Sequence, residues 1–302
     1  MYFDIYFKLF DVIFPVFLII GIGYWFGKKN PNFKNEIITK FAGTIGVPAL
    51  LFYSLTASST LIFSTFIKFS LLTFICVGSF AILGILILKA LGRNPIAELG
   101  PLILPNTGNL GLPICLFTYG DKGLSIAGSI AAIIMLLHFT LGILIASKKF
   151  SLKPLIKSIP MYALLISGVM LYFELKPAIF LINATMLLSY STIFLILASL
   201  GITLSNLKTK NFKSNCIVSV ARLLIGPIIA LLIIYNFNLE GYEAGVLFIC
   251  ASMPSAVLNH LLAKMYSDKI HSDNVASVIM ISTTFSFATI PLIVFFALKY
   301  FN

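Results

Sequence analysis

Long apolar runs separated by short polar punctuation dominate the chain. Runs near 8 to 27, 37 to 56, 66 to 92, 98 to 119 and 123 to 147 are followed by a second set near 158 to 174, 179 to 205, 215 to 236, 241 to 265 and 273 to 299. Each is close to the ~20 residues that a helix needs to cross the hydrocarbon core of a bilayer. The pattern predicts an all-α membrane protein of ten transmembrane helices. The second set also reproduces the spacing of the first, with Lys8 falling on Lys157, Phe66 on Asn215 and Pro105 on Pro254. The predicted organisation is therefore a first repeat over 8–147, a linker over 148–157 and a second repeat over 158–300. A repeat with an odd number of spans returns the chain to the opposite side, so the two five-helix halves are expected to be inverted relative to each other.

Composition removes the soluble alternative. Of 302 residues, 59% are hydrophobic and 10% charged, and 28 are Phe. So few charges cannot cover an apolar core, and lipid has to be the solvent. The net charge of +11 lies in short connections rather than along one face, so it reads as topology charge and not as a nucleic-acid surface. Placing the N-terminus outside puts Lys28, Lys29, Lys89, Arg93, Lys148, Lys149, Lys208, Lys210 and Lys269, among others, on the cytoplasmic side. Lys8, Lys68, Lys122, Lys176 and Lys299 fall outside. Both termini are therefore expected to be extracellular, in a multi-pass protein of the cell membrane. The run from Val12 to Phe26 lacks a small-residue cleavage site and reads as a retained first span. Cys76, Cys115, Cys216 and Cys250 lie in apolar segments without ligand spacing and read as packed free thiols; no metal or cofactor is expected.

Two spans cannot be uninterrupted helices. Span four, ELGPLILPNTGNLGLPICLFTYG, carries Pro101, Pro105 and Pro113 with Gly100, Gly108 and Gly111. An interior proline removes a backbone donor at a cost of ~3 kcal/mol, and lipid supplies no substitute. Its counterpart, span nine, has Pro254 at the matching position, followed by Ser255, Asn259 and His260. Broken helices at equivalent positions of inverted halves are expected to cross near the midplane. Their half-helix N-termini, rich in unpaired amide donors, would suit an anion. Pro105, Asn106, Thr107, Asn109, Pro254, Ser255 and Asn259 are the candidate substrate-binding residues. Pro15, Pro48, Pro227 and Pro291 read as kinks in packed helices.

The run LPNTGNLGLPI, with GVPALLFYSL in span two, ARLLIGPIIA in span eight and ASMPSAVLNHLLAKMY in span nine, resembles the auxin efflux carrier family over essentially the whole chain. That family includes prokaryotic carboxylate permeases and the plant PIN-formed auxin carriers. The resemblance implies crossing broken helices four and nine, with Asn106 on the substrate carboxylate and Pro105 and Pro254 at the crossover. It further implies a scaffold of spans one, two, six and seven forming a homodimer, and a moving domain of the other six. The long cytoplasmic loop of the plant carriers is replaced here by the short segment Ser147 to Ser158.

Ionisable groups inside spans are functional candidates by default. Arg222 in span eight either compensates a substrate anion or binds helix-end carbonyls. His138 and His260 are candidates for proton coupling, or packing histidines. Glu98 and Lys264 are expected near the interface. Carboxylates are scarce within the spans, which favours an anionic over a cationic substrate, although carbonyl-bound sodium needs no carboxylate. No HExxH, intramembrane aspartate pair or GxSxG with a histidine partner supports an enzyme. The expectation is a secondary active transporter moving a small organic anion by elevator-type alternating access. The alternatives are a sodium- or proton-coupled carrier of other solutes and a passive anion channel.

Overall fold

The computed structural model describes residues 2–57, 61–149, 153–207 and 209–301. Lys208 and residues 150–152 of the expected linker lie outside these. All elements among the described residues are helical. They are α1 (Tyr2–Lys29), α2 (Glu36–Phe41), which runs through the π-helical turn Ala42–Gly46 into α3 (Val47–Thr56), and α4 (Phe63–Ala90). After α5 (Gly100–Ile103) and a π turn over Thr107–Gly111 comes α6 (Leu112–Leu137), then a π turn over His138–Gly142 and α7 (Ile143–Ser147). The second half holds α8 (Lys153–Ile156), α9 (Ile159–Tyr172), α10 (Ile179–Asn206), α11 (Phe212–Asn236), α12 (Gly241–Ala251), α13 (Leu258–Tyr266) and α14 (Lys269–Tyr300).

Seven stretches among the described residues are long and apolar enough to cross a membrane, while Ile159–Tyr172 and Gly241–Ala251 are shorter apolar helices. The difference from the ten runs read in the sequence has a local cause. Span nine is split into α12 and α13, the first piece of span four is a single turn, and the rest of span four runs on into span five. That last run bends at Gly120, whose φ of 65° and ψ of −153° lie outside the helical region. A φ of that sign is readily reached only without a Cβ, so glycine sets the corner. Pro15, Pro227 and Pro291, by contrast, sit inside continuous helices, and Pro48 stands at the start of α3, where that helix follows directly on the π-helical turn.

Packing divides the helices into two groups. In one, α1 lies along α10, and α3 lies against both α9 and α10. Asn35 strengthens this group by donating to the Ser199 carbonyl at 3.0 Å and to Thr203 Oγ1 at 2.9 Å. In the other, α4, α6, α11, α12 and α14 pack on one another, with α5 against α4 and α11 and α13 against α14. The groups meet where α3, α1 and α9 touch α6, where α9 touches α4, where α1 touches α14, and where α10 touches the π turn over Thr107–Gly111. Large apolar side chains such as Leu86, Leu187, Leu224 and Tyr235 are exposed around the outside, as a lipid-facing surface requires.

Candidate functional site

The two breaks in the second group are joined to each other. Between α5 and the following π turn, Leu104 and Pro105 leave the helix, and between α12 and α13 the chain from Ser252 to Val257 does the same. Pro105 and Ser255 face each other in an antiparallel bridge. The Asn106 N–H donates to the Pro254 carbonyl at 2.8 Å, and the Ala256 N–H donates to the Leu104 carbonyl at 3.1 Å. Backbone groups that each proline frees from its own helix are thus satisfied by the other break. This is the solution available in a medium without water. Asn259 adds a third stitch, its Nδ2 reaching the Leu104 carbonyl at 3.1 Å and Ser255 Oγ at 3.4 Å.

Each break leaves a helix C-terminus with orphan carbonyls and negative partial charge. Arg222 meets both. Fully buried in α11, its guanidinium donates from Nη1 to the Leu102 carbonyl of α5 at 3.1 Å. At the end of α12 it donates from Nη2 to Ala251 at 2.6 Å and to Met253 at 3.1 Å, and from Nε to Met253 at 3.2 Å. The ring of Phe80 lies 4.4 Å from Cζ. Close approach of α11 to α12 makes this reach possible, since a Cβ at Gly226 would collide with the Ala251 carbonyl. Of the two roles open to Arg222 in the sequence, its hydrogen bonds here all go to helix-end carbonyls.

The opposite poles are left open. Asn106 is buried, and its Nδ2 has no hydrogen-bond partner; Thr107 Oγ1 is equally buried and unpartnered. Both stand where the second piece of span four begins, beside N–H groups that have no preceding turn to bond. Asn109 is half-buried one turn on. A cavity with room for about one water molecule adjoins the break, lined by Thr73, Cys76 and Phe80 of α4, Pro105, Thr107, Ile134 of α6 and Cys250, among others. The Sγ of Cys250 lies 3.8 Å from that of Cys115, and both are free thiols.

The histidines considered for coupling are not at the junction of the breaks. His138 is buried with Nδ1 on the Ile134 carbonyl at 2.9 Å and Nε2 unpartnered. The polar neighbours of His260 are Lys264 of its own helix, α13, and Asp273 and the backbone of Ser272 in the first turns of α14. Glu98, just before α5, is 5% exposed and held by Arg93, His271 and Asn274. Nothing in the sequence signals this cluster. Its two halves come from segments more than 170 residues apart: Arg93 and Glu98 precede α5, and His271 and Asn274 lie one turn apart in α14.

A family model described as membrane transport protein matches residues 9–155 and 143–294. An uncharacterized transporter of Methanocaldococcus jannaschii is 32% identical over 303 residues, covering 93% of this chain and 96% of that protein. An uncharacterized transporter of Methanothermobacter thermautotrophicus is 31% identical over 195 residues, covering 62% of this chain and 63% of that protein.

Proposed function

The chain belongs to the membrane transport protein family, and from that premise we propose that this multi-pass membrane protein is a secondary active carrier of a small organic anion. The observation that carries the reading is the division of charge at the paired breaks. Arg222 neutralises the negative helix ends, while the amide-rich ends beside Asn106 and Thr107 keep unpartnered donors in a buried place. What remains is a locus that favours negative charge, and a carboxylate accepts from several such donors at once. Asn106, Thr107 and Asn109, with Pro105, Pro254, Ser255 and Asn259 as the frame, form the proposed substrate site.

The proposal extends to architecture. The helices are assigned to ten crossings in two inverted five-helix repeats, over 8–147 and 158–300, with both termini extracellular. The group of α1, α3, α9 and α10 is the proposed scaffold and dimer surface. The group holding the breaks is the proposed moving body, which would carry the site across the membrane as an elevator. Its support is the packing division, which coincides with the division between helices that bear the site and helices that do not.

Arg222 also weighs against the sodium-coupled alternative, because three carbonyls at the breaks, those of Leu102, Ala251 and Met253, already receive a guanidinium whose charge opposes a nearby cation. Counterflow in vesicles tests the main reading. Purified protein preloaded with unlabelled mono- or dicarboxylates should accumulate the labelled compound against its gradient, with saturation. Flux that never saturates and shows no counterflow would make the protein a channel.

A further inference from the structure

We propose that His271 and Glu98 form a proton-binding site which ties pH to the hold on the first piece of span four. Glu98 lies two residues before α5, so whatever grips its carboxylate grips the helix piece leading to Pro105. The segment that carries it is ordered by Asn94, whose Oδ1 accepts from the N–H groups of Ile96 and Ala97, both at 3.0 Å. One carboxylate oxygen takes the Arg93 guanidinium, which also donates to Asn215 Oδ1 at 2.7 Å. The other oxygen accepts from Asn274 Nδ2 and faces His271 Nδ1, both at 3.0 Å.

The chemistry of this pair fixes where the proton goes. A carboxylate bonded to Arg93 only accepts, so neutral His271 must carry its hydrogen on Nδ1, leaving Nε2 bare. Nε2 lies 3.6 Å from Oδ2 of Asp268, and the imidazole is 24% exposed against 5% for Glu98. A proton from solvent therefore adds at Nε2. The resulting imidazolium stands between two carboxylates, donating to one and attracted to the other. The other charged groups in this region are Lys269 beside it in sequence, Lys264 and His260 of α13, and Lys210 of the α10–α11 connection, whose Nζ is 2.7 Å from Asp273. None of these comes between His271 and Glu98. Protonation thus strengthens the tie between α14 and the α4–α5 connection, and deprotonation loosens it. The functional consequence, a transport rate set by pH on the side bearing Lys89 and Lys210, rests on the carrier reading.

The chain has three histidines, which makes nitrogen-15 histidine spectra of the whole protein in nanodiscs assignable by His271→Gln, or by His138→Gln and His260→Gln should the first variant not fold. The expected spectrum shows His271 protonated on Nδ1 alone at high pH and on both nitrogens after acidification. Amide exchange over residues 99–104, corrected for intrinsic rate, should slow by up to about tenfold on acidification, as placing a positive charge on the donor of the existing His271–Glu98 bond implies. His271→Gln, which keeps a donor without titrating, should show no such change. A neutral His271 carrying its hydrogen on Nε2, or exchange equal at high and low pH in the wild type, would overturn the proposal. Neither measurement needs a transported solute, so its failure is separate from failure of the carrier reading.

Discussion

The N–H of Asn106 donates to the carbonyl of Pro254 across 2.8 Å, and this bond makes two interrupted helices into one unit. Asn106 contributes its backbone to that junction and keeps its side-chain amide out of it. The residue therefore holds the junction together and still keeps an unpartnered buried donor next to Thr107, which lines the adjoining cavity. Because the two functions use different atoms, substitution can separate them.

Asn106→Ala should leave stability nearly unchanged, since the lost Nδ2 has no partner within the protein. Substrate affinity should fall by about ten- to a hundredfold, the value of one charge-assisted hydrogen bond of ~1.5–3 kcal/mol. Binding of whichever carboxylate proves active in counterflow, measured with a melting curve on the same sample, checks both halves. Undiminished affinity would remove Asn106 from the site.

Arg222→Ala should behave in the opposite way. Three carbonyls at the ends of α5 and α12 lose their donors in a place without water, at a cost of about 3 kcal/mol or more. Thermal unfolding in detergent should register a large drop, and Arg222→Lys should recover part of it, because an ammonium reaches fewer of the carbonyls. A variant as stable as the wild type would show that these carbonyls find other partners.

Gly226→Val should destabilise the same region from the other side. The added side chain meets the Ala251 carbonyl and the backbone of Ser252, neither of which is a flexible group that can move aside. The expected outcome is loss of transport together with a lowered melting temperature. Full activity in this variant would contradict the close approach of α11 and α12.

Orientation is tested by cysteines placed in loops. Asn238→Cys, between α11 and α12, should react with an impermeant thiol reagent in intact cells, and Asn30→Cys, after α1, only once the membrane is opened. Reversed labelling would turn the molecule over, and with it the assignment of His271 and Glu98 to the cytoplasmic side.

Sodium should make no difference to transport if Arg222 occupies the break carbonyls. Uptake measured in potassium and in sodium media of equal pH and ionic strength should agree. A strict requirement for sodium would return the carbonyl-bound ion to consideration and displace the role given to Arg222.

The sequence by itself determined the solvent, the helical class and the places where helices stop. Apolar content and run length leave lipid as the only compatible medium. Pro105 and Pro254 mark breaks because proline cannot donate and because glycines and polar residues surround them, features local to the chain. The residues beside the breaks, Asn106 and Thr107, were legible for the same reason. Tertiary structure decided everything that depends on what a residue meets. For Arg222 the sequence left two roles open, a substrate anion or helix-end carbonyls, and only folding shows its guanidinium spread over the ends of α5 and α12. Glu98 is marked in sequence only as a charge near a span's end, and folding shows His271 and Asn274 of α14 covering it. His260 follows Pro254 closely, yet its neighbours include Ser272 and Asp273 of α14, which no pattern along the chain indicates. Partners of a charge buried in a membrane protein are chosen by packing between distant segments, and no periodicity along the chain records that choice.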